Sequence, residues 1–393
     1  MTALVFSRKT VRYAAAAVAG SVRPGRGARY GPLSLREVGP PEPPGPDWLR
    51  LRPRLSGICG SDLATIDGRS SRYFEPIVSF PFTPGHEVVG DLEDGRRAVI
   101  IPVLHCATRR VTPPCAMCRA GRVNLCERIG FGALEPGLQS GFCESTGGGW
   151  SDDMVVHPSQ VVEVPDDVTD EQAVVVEPVA CAVHAARQVG GHDVHHAAVI
   201  GAGALGLFTI AALRWVSSPS GSVIATAKHP EQRRWAKELG ADVVCGPGEL
   251  ERAVRSATSS FVLDNGQLTH GVDAVIDCVG SAESLAQAVR VVAPGGTVHV
   301  VGMPGVTTLD LTPVWQREVR LRGVYAYDAH PDRGDDFATA IRLARELDLG
   351  RLVSATYPLS RYEAAIDHAA NAGARGAVKI AFDLRAGRRR SRP

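Results

Sequence analysis

A chain of 393 residues, 44% hydrophobic and 22% charged, is long enough for two domains that each bury a core. Its 43 Lys and Arg against 42 Asp and Glu leave a formal charge of +1, so no overall field draws it to nucleic acid or an acidic membrane. Nine cysteines, an odd number bunched mainly in one region, argue for reduced thiols and metal binding over a disulfide framework, and no apolar window approaches a membrane span.

The opening "MTALVFSRKTVRYAAAAVAG" places a strand-like ALVF ahead of an alanine run too short for the apolar core of a leader, so a cytoplasmic protein is expected. The stretch "AGSVRPGRGARYGP", rich in Gly, Arg and Pro, reads as a mobile loop over 19–32. As far as Val176, apolar runs such as WLRLRPRL, HEVVGDL, RRAVIIPV and VVEVP are broken by Gly and Pro. They predict strands and turns with little helix.

This β-rich part holds the candidate metal chemistry. "SGICGSDLATIDG" sets Cys59 between glycines, and "FPFTPGHEVVGDLEDG" carries His86 and Glu87. Between and beyond them run "DGRSSRYFEPIVSFPF", whose Arg72, Tyr73 and Phe74 are candidates to line a pocket, and the cysteine series Cys115-x2-Cys118-x7-Cys126. Cys106 lies nine residues before Cys115; four thiolates would close a tetrahedral structural zinc site, and the alternative is a lobe of free thiols. Cys143, Cys181, Cys245 and Cys278 sit in apolar or helical settings and read as packing residues.

From about Gln172 the texture changes. "EQAVVVEPVACAVHAARQV" reads as helix, and buried apolar strands then alternate with helices, which predicts βαβ units and a parallel sheet. "VIGAGALGLF" follows a strand and opens a helix, with Gly201, Gly203 and Gly206 in the G-x-G-x-x-G spacing and Leu205 inside the motif. Gly201 suits the tight turn, Gly203 the approach of a pyrophosphate, and Gly206 close packing of helix on strand. The next strand, "SVIATAKHPEQRR", puts Ala227 where a carboxylate would hold a free ribose 2′-hydroxyl, and Lys228, His229 and Arg233 follow. That pattern favours NADP(H), with NAD(H) possible. Near Arg322 the alternation ends; "DFATAIRLAREL" and "SRYEAAIDHAANA" read as helices, "GAVKIAFDL" as a strand returning to the first domain, and the tail "RAGRRRSRP" as a solvated end.

In this order, GICGSD, GHE, the cysteine lobe, EP at Glu177, GxGxxG and the closing GAVKIAFD strand, the chain resembles the zinc-dependent medium-chain alcohol dehydrogenase superfamily. The likeness is to its polyol, threonine and secondary-alcohol branches. The resemblance implies an α/β fold: a GroES-like β-rich catalytic domain (1–175 with 326–393) and an inserted Rossmann domain with a doubly wound parallel sheet (176–325). It implies Cys59, His86 and Glu177 as ligands of a catalytic zinc, Glu87 beside the metal and able to exchange with it, and Asp62 fixing the tautomer of His86. It gives Ser61 the alcohol proton. The histidine that often receives that proton next falls on Ala64, and the cysteine that usually precedes the structural lobe falls on Thr112. A secondary alcohol, such as a polyol, would be interconverted with its carbonyl by a homodimer or homotetramer. A zinc-independent quinone or enoyl reductase of the same fold is the alternative enzyme. A zinc-ribbon nucleic-acid module, using Arg109, Arg110, Arg119 and Arg122 as a basic face, is the alternative from another class.

Overall fold

The computed structural model describes residues 1–190, 194–264, 266–330 and 334–385, so the basic tail beyond Arg385 lies outside the described residues. The first strand, β1 (Thr2–Phe6), forms because its apolar side chains find a common core. Chain order continues with α1 (Thr10–Val22), α2 (Gly27–Tyr30) and β2 (Leu33–Glu37), which pairs antiparallel with β1 so that Phe6 stands opposite Leu33. The mobile loop expected over 19–32 is therefore corrected to the end of α1, a turn over 23–26 and α2. The run Ala14–Ala17 has the highest helix propensity of any residue type, and it carries α1 on until extended Arg23 ends it.

Next come β3 (Leu49–Gly57), α3 (Gly60–Ile66), β4 (Val88–Leu92), β5 (Arg97–Ile100), α4 (Ala116–Arg119), β6 (Met154–Val156), β7 (Val161–Glu163) and α5 (Asp170–Val174). The expectation of strands and turns with little helix is corrected by α3 and α4, whereas α5 falls in the stretch from Glu171 that reads as helix. Helices of seven and four residues are too short to show a 3.6-residue period, and capping side chains start all three. Thr169 accepts the Gln172 amide at 3.1 Å, for example.

A separate helix, α6 (Val176–Val189), leads into β8 (Ala197–Ile200), α7 (Ala204–Ala212), β9 (Val223–Thr226), α8 (Pro230–Glu238), β10 (Val243–Cys245), α9 (Leu250–Thr258), β11 (Val272–Asp277), α10 (Ala282–Val291), β12 (Val292–Val300), α11 (Thr312–Gln316) and β13 (Arg320–Gly323). The six strands are all parallel in the order β10-β9-β8-β11-β12-β13. Val, Ile and Ala on both faces of the central strands β8, β9 and β11 are buried, as a sheet covered by helices requires.

The chain closes with the short pair β14 (Ala329–His330) and β15 (Gly334–Asp335), then α12 (Asp336–Glu346), β16 (Val353–Tyr357), α13 (Tyr362–Ala370) and β17 (Lys379–Asp383). The second sheet runs β16-β17-β3-β4-β5-β7, with β6 beside β3. Two compact units result, Met1–Glu177 with Tyr327–Pro393, and Pro178–Ala326. No helix among the described residues is long and apolar enough to cross a membrane.

The core of the first unit is aromatic. Phe6 stacks on Phe82 at 5.1 Å between centroids, and Trp150 meets Phe382 edge-on at 5.0 Å. The Trp150 indole N–H donates to the Gly57 carbonyl at 3.1 Å, so this core pins the end of β3 where the site begins. Charge ties the last strand down as well. The Asp170 carboxylate, its side chain 4% exposed, meets Arg54 at 2.9 Å, Arg97 at 3.3 Å and Arg385 at 3.1 Å. Replacing Asp170 with Asn leaves three partly buried guanidiniums short of their anion and is expected to destabilise the first unit by about 2–4 kcal/mol. Urea unfolding followed by tryptophan fluorescence checks this; an unchanged midpoint would refute it.

Candidate active site

Three chain segments remote in sequence meet where β17, β3 and β4 lie side by side. β3 hands the chain to Ile58 and Cys59, the residues before β4 supply His86 and Glu87, and β17 opens on Lys379. Backbone bonds hold the segments together: the Gly57 N–H donates to the Glu87 carbonyl at 2.8 Å, and the Ile58 N–H to Ile380 at 3.0 Å. One ligand atom each from Cys59, His86 and Glu87 lies within 4.8 Å of the others.

Each member of the trio is held in place. Cys59 caps α3, and its own N–H donates to the Asp62 carboxylate at 2.9 Å. The other Asp62 oxygen faces His86 Nδ1 at 3.5 Å, which leaves Nε2 to act as ligand. Burial opposes a charge on His86, yet Asp62 and the Cys59 sulfur raise its pKa well above 6.5. Glu87, 1% exposed, pairs with the Lys379 ammonium, which also donates to the Ile58 carbonyl at 3.1 Å. Burial pushes the Lys379 pKa down, but the anionic groups of Glu87, Cys59 and Glu177 outweigh it and raise it above 10.5.

Glu177 is buried within electrostatic reach of Lys379, but the close trio contains Glu87 in its place. Glu87 follows His86 directly, whereas Glu177 arrives at the start of α6. Ser61 stands half-buried in the first turn of α3, with Ala64 buried behind it. Arg72 and Tyr73 are exposed and Phe74 partly buried. Lys379 escaped the sequence reading, since one lysine in "GAVKIAFDL" looks like an ordinary outward residue of a strand. A cation at a position otherwise expected to face the core was the available signal.

The donor chemistry fits a metal. Glu87 Oε1 is buried without a hydrogen-bond partner, and a sulfur, an imidazole nitrogen and a carboxylate oxygen make a three-donor zinc set that keeps a fourth position open.

Cys106, Cys115, Cys118 and Cys126 likewise place their sulfurs within 4.8 Å of one another. The Cys106–Cys126 separation is 3.7 Å. A tetrahedron with Zn–S bonds of about 2.3 Å has edges of about 3.8 Å. Amides support the sulfurs: the Cys115 N–H donates to Cys106 at 3.3 Å, and the Arg128 N–H to Cys126 at 3.4 Å. Burial opposes the Cys115 thiolate, but the Cys118 and Glu127 amides bring its pKa down to about 7. Cys143 and Cys245 are buried, and Cys181 and Cys278 partly so. The basic face invoked for a nucleic-acid module is corrected at its first residue. Arg109 is 0% exposed, and its guanidinium donates to the carbonyls of Phe131, Leu134, Glu135 and Gly137, bracing the lobe from within.

In the second unit Gly201 has φ +92°, and a Cβ there would come 2.4 Å from Val279. A Cβ on Gly206 would lie 1.8 Å from the Gly201 carbonyl. Gly203, by contrast, faces open space at the start of α7, the cradle that a pyrophosphate needs, and Leu205 lies in the helix's first turn. Ala227 is buried just past β9, Lys228 and Arg233 are exposed, and His229 caps α8. Arg233 Nε donates to the Ala227 carbonyl at 3.1 Å.

Two family models match the chain: Alcohol dehydrogenase GroES-like domain over residues 45–166, and Zinc-binding dehydrogenase over 204–346. A sorbitol dehydrogenase of Arabidopsis thaliana is 28% identical over 86% of this chain and 89% of its own length. An L-idonate 5-dehydrogenase of Vitis vinifera shows the same identity and coverage. A structure from Sinorhizobium meliloti 1021, provisionally assigned as a zinc-binding dehydrogenase and bound to NADP, superposes with a TM-score of 0.68 at 28% identity, covering 89% of this chain and 96% of that one.

Lys379 gives the site a testable electrostatic property. Replacing it with Met strands a buried carboxylate beside a thiol, and is expected to destabilise the metal-free first unit by about 3–5 kcal/mol. Added zinc should recover part of that loss by supplying positive charge. Urea unfolding with and without zinc checks both points; equal midpoints for variant and parent in the metal-free state would refute the role.

Proposed function

Because the chain belongs to the zinc-dependent medium-chain alcohol dehydrogenase superfamily, in its polyol dehydrogenase branch, we propose that Cys59, His86 and a carboxylate at Glu87 or Glu177 hold its catalytic zinc, and that Cys106, Cys115, Cys118 and Cys126 hold a structural one. The protein is an oxidoreductase that interconverts a small secondary alcohol and its carbonyl with a nicotinamide dinucleotide. The observation carrying the site assignment is the convergence of one sulfur, one imidazole nitrogen and one carboxylate oxygen within 4.8 Å.

When bound, zinc polarises the substrate oxygen as a Lewis acid, and the nicotinamide accepts or returns the hydride. The chain's own residues prepare the site. The Asp62 carboxylate fixes the His86 ring with Nδ1 turned toward it, so Nε2 presents a lone pair. Lys379 pairs with Glu87 in the interior and holds its carboxylate in place. Ser61, two residues after Cys59, takes the alcohol proton. With Ala64 behind it, that proton leaves through water, a cofactor hydroxyl or another side chain. The GxGxxG turn of Gly201, Gly203 and Gly206 receives the pyrophosphate, with Leu205 beside it.

The reading favours NADP(H). No carboxylate stands at Ala227, and Lys228, His229 and Arg233 gather where a 2′-phosphate would lie. Substrates resemble those named for the relatives, a polyol or sugar acid, with Phe74 against the substrate. A homodimer or homotetramer is also proposed, supported by the exposed edge strand β13 near Trp315, 80% exposed, and checked by sedimentation velocity. An unpaired edge is a template on which a second chain can add a strand.

The decisive assay follows reduced-nicotinamide absorbance over polyols and secondary alcohols, with NADP and NAD in parallel. Cys59→Ser is expected to lower kcat by at least about a thousandfold while leaving nucleotide affinity intact, since the glycine turn of the second unit is unchanged. Retained activity, or turnover in zinc-free enzyme, would favour the zinc-independent reductase. Ala227→Asp should shift kcat/KM toward NAD by about tenfold or more, because the new carboxylate repels a 2′-phosphate and accepts from a 2′-hydroxyl. An unaltered ratio would show that this strand end does not read the ribose.

A further inference from the structure

The excursion between β1 and β2 has no part in closing their hairpin. Phe6 already pairs with Leu33, and the Ser7 N–H reaches the Pro32 carbonyl at 3.3 Å, so a two-residue turn would join the strands as well. Instead residues 8–31 build α1 and α2, and these press on the far end of α3. The contact centres on Asp67, the residue that ends α3 and is 0% exposed. One Asp67 oxygen accepts the Gly25 N–H at 2.8 Å, the other the Gly27 N–H at 3.0 Å, and Arg69 approaches at 3.5 Å. The fit is too close for a side chain: a Cβ on Gly27 would fall 2.1 Å from the Ile66 carbonyl.

The same turn grips a second element. Arg23 pairs with Asp367 of α13 at 3.0 Å, and Asn371 donates to the Pro24 carbonyl at 3.2 Å. α13 precedes β17, which starts at Lys379. The excursion thus braces α3, which carries Cys59 at its cap and Ser61 in its first turn, against the element leading to Lys379.

We infer that Asp67 is a positioning residue: through the Gly25 and Gly27 amides it anchors the excursion on α3 and so sets how Cys59 and Ser61 face the reacting atoms. This rests on the reading of Cys59 and Ser61 given above. A seven-residue helix is a rod of about 10 Å, and a tilt released at one end displaces the other. Misplacement by about 1 Å can cost about a hundredfold in rate.

The test uses full-length, zinc-loaded enzyme. Asp67→Asn keeps the shape but sets an amide donor against a backbone N–H. It should lower kcat by about tenfold or more well below the unfolding temperature, leave NADP(H) affinity within twofold, and speed zinc loss to a colorimetric chelator. A purely structural part would lower the melting temperature but leave kcat per folded molecule and chelation rate unmoved, and that result overturns the inference. A second chain, with residues 8–31 replaced by Asn-Gly, guards against misfolding of the point variant. Its kcat should fall similarly, and Asp67→Asn added to it should cost nothing more. Full turnover in the excised chain overturns the inference too. Ser61→Ala and Cys59→Ser separate the two levels. If they abolish turnover while Asp67→Asn spares it, only the clasp is wrong; if they spare turnover, the site assignment falls and the clasp with it.

Discussion

Charge balance in a water-poor interior is the constraint on which the first unit depends. Cys59, Asp62, Glu87 and Glu177 can each carry a negative charge, and one ammonium, Lys379, stands among them. An uncompensated buried ion costs several kcal/mol, so anionic forms of this cluster call for more positive charge than one lysine brings. A proton on His86 or a divalent cation can supply it. The first explains why the imidazole pKa is driven upward, and the second explains why thiol and carboxylate stand beside it. Metal affinity and the stability of the first unit are thereby linked.

That constraint dictates which strands must be neighbours. β17 lies between β16 and β3, with β4 on the other side of β3, so three strand ends carry cation, thiol and carboxylate to one place. Trp150 fastens the end of β3 through the Gly57 carbonyl, and the Asp170 cluster fastens the end of β17 through Arg385. The aromatic core and the surface arginines are therefore not remote from the chemistry. They hold the strand ends whose drift would separate the charges.

Much of this could be read directly from residues, and the exceptions have physical causes. Cys59, His86 and the glycines of the nucleotide turn stand in short local motifs, where spacing reflects geometry within a few residues. The cysteine lobe was accessible for the same reason: Cys115 caps α4, Cys118 lies within it and Cys126 ends the short turn that follows, while Cys106, outside the regular spacing, joins them. The role of Lys379 was signalled only by a cation in a core-facing position, because its partner Glu87 is fixed by sheet order and not by sequence proximity. Helix α1 was missed because its alanine run is short and its last turn falls in a stretch whose Gly, Pro and Arg signal a loop. What overrode that signal was four consecutive alanines and a packing face on α3, the second of which no local pattern displays.

The nucleotide side poses a different electrostatic problem. Selecting a 2′-phosphate requires cations free to turn toward it, yet Arg233 spends its Nε on the Ala227 carbonyl. That bond orients the guanidinium at the end of β9 and leaves its other two nitrogens for a ligand, the fork geometry that recognises phosphate. Glu249 is close enough to act electrostatically on Arg233 and would oppose an anion, but its own carboxylate is already engaged by the Gly246 N–H at 2.7 Å and by Arg252 at 2.9 Å. Glu249 is thus engaged by partners of its own. The strand end keeps a positive bias that a lone count of charges, near zero over the whole chain, conceals.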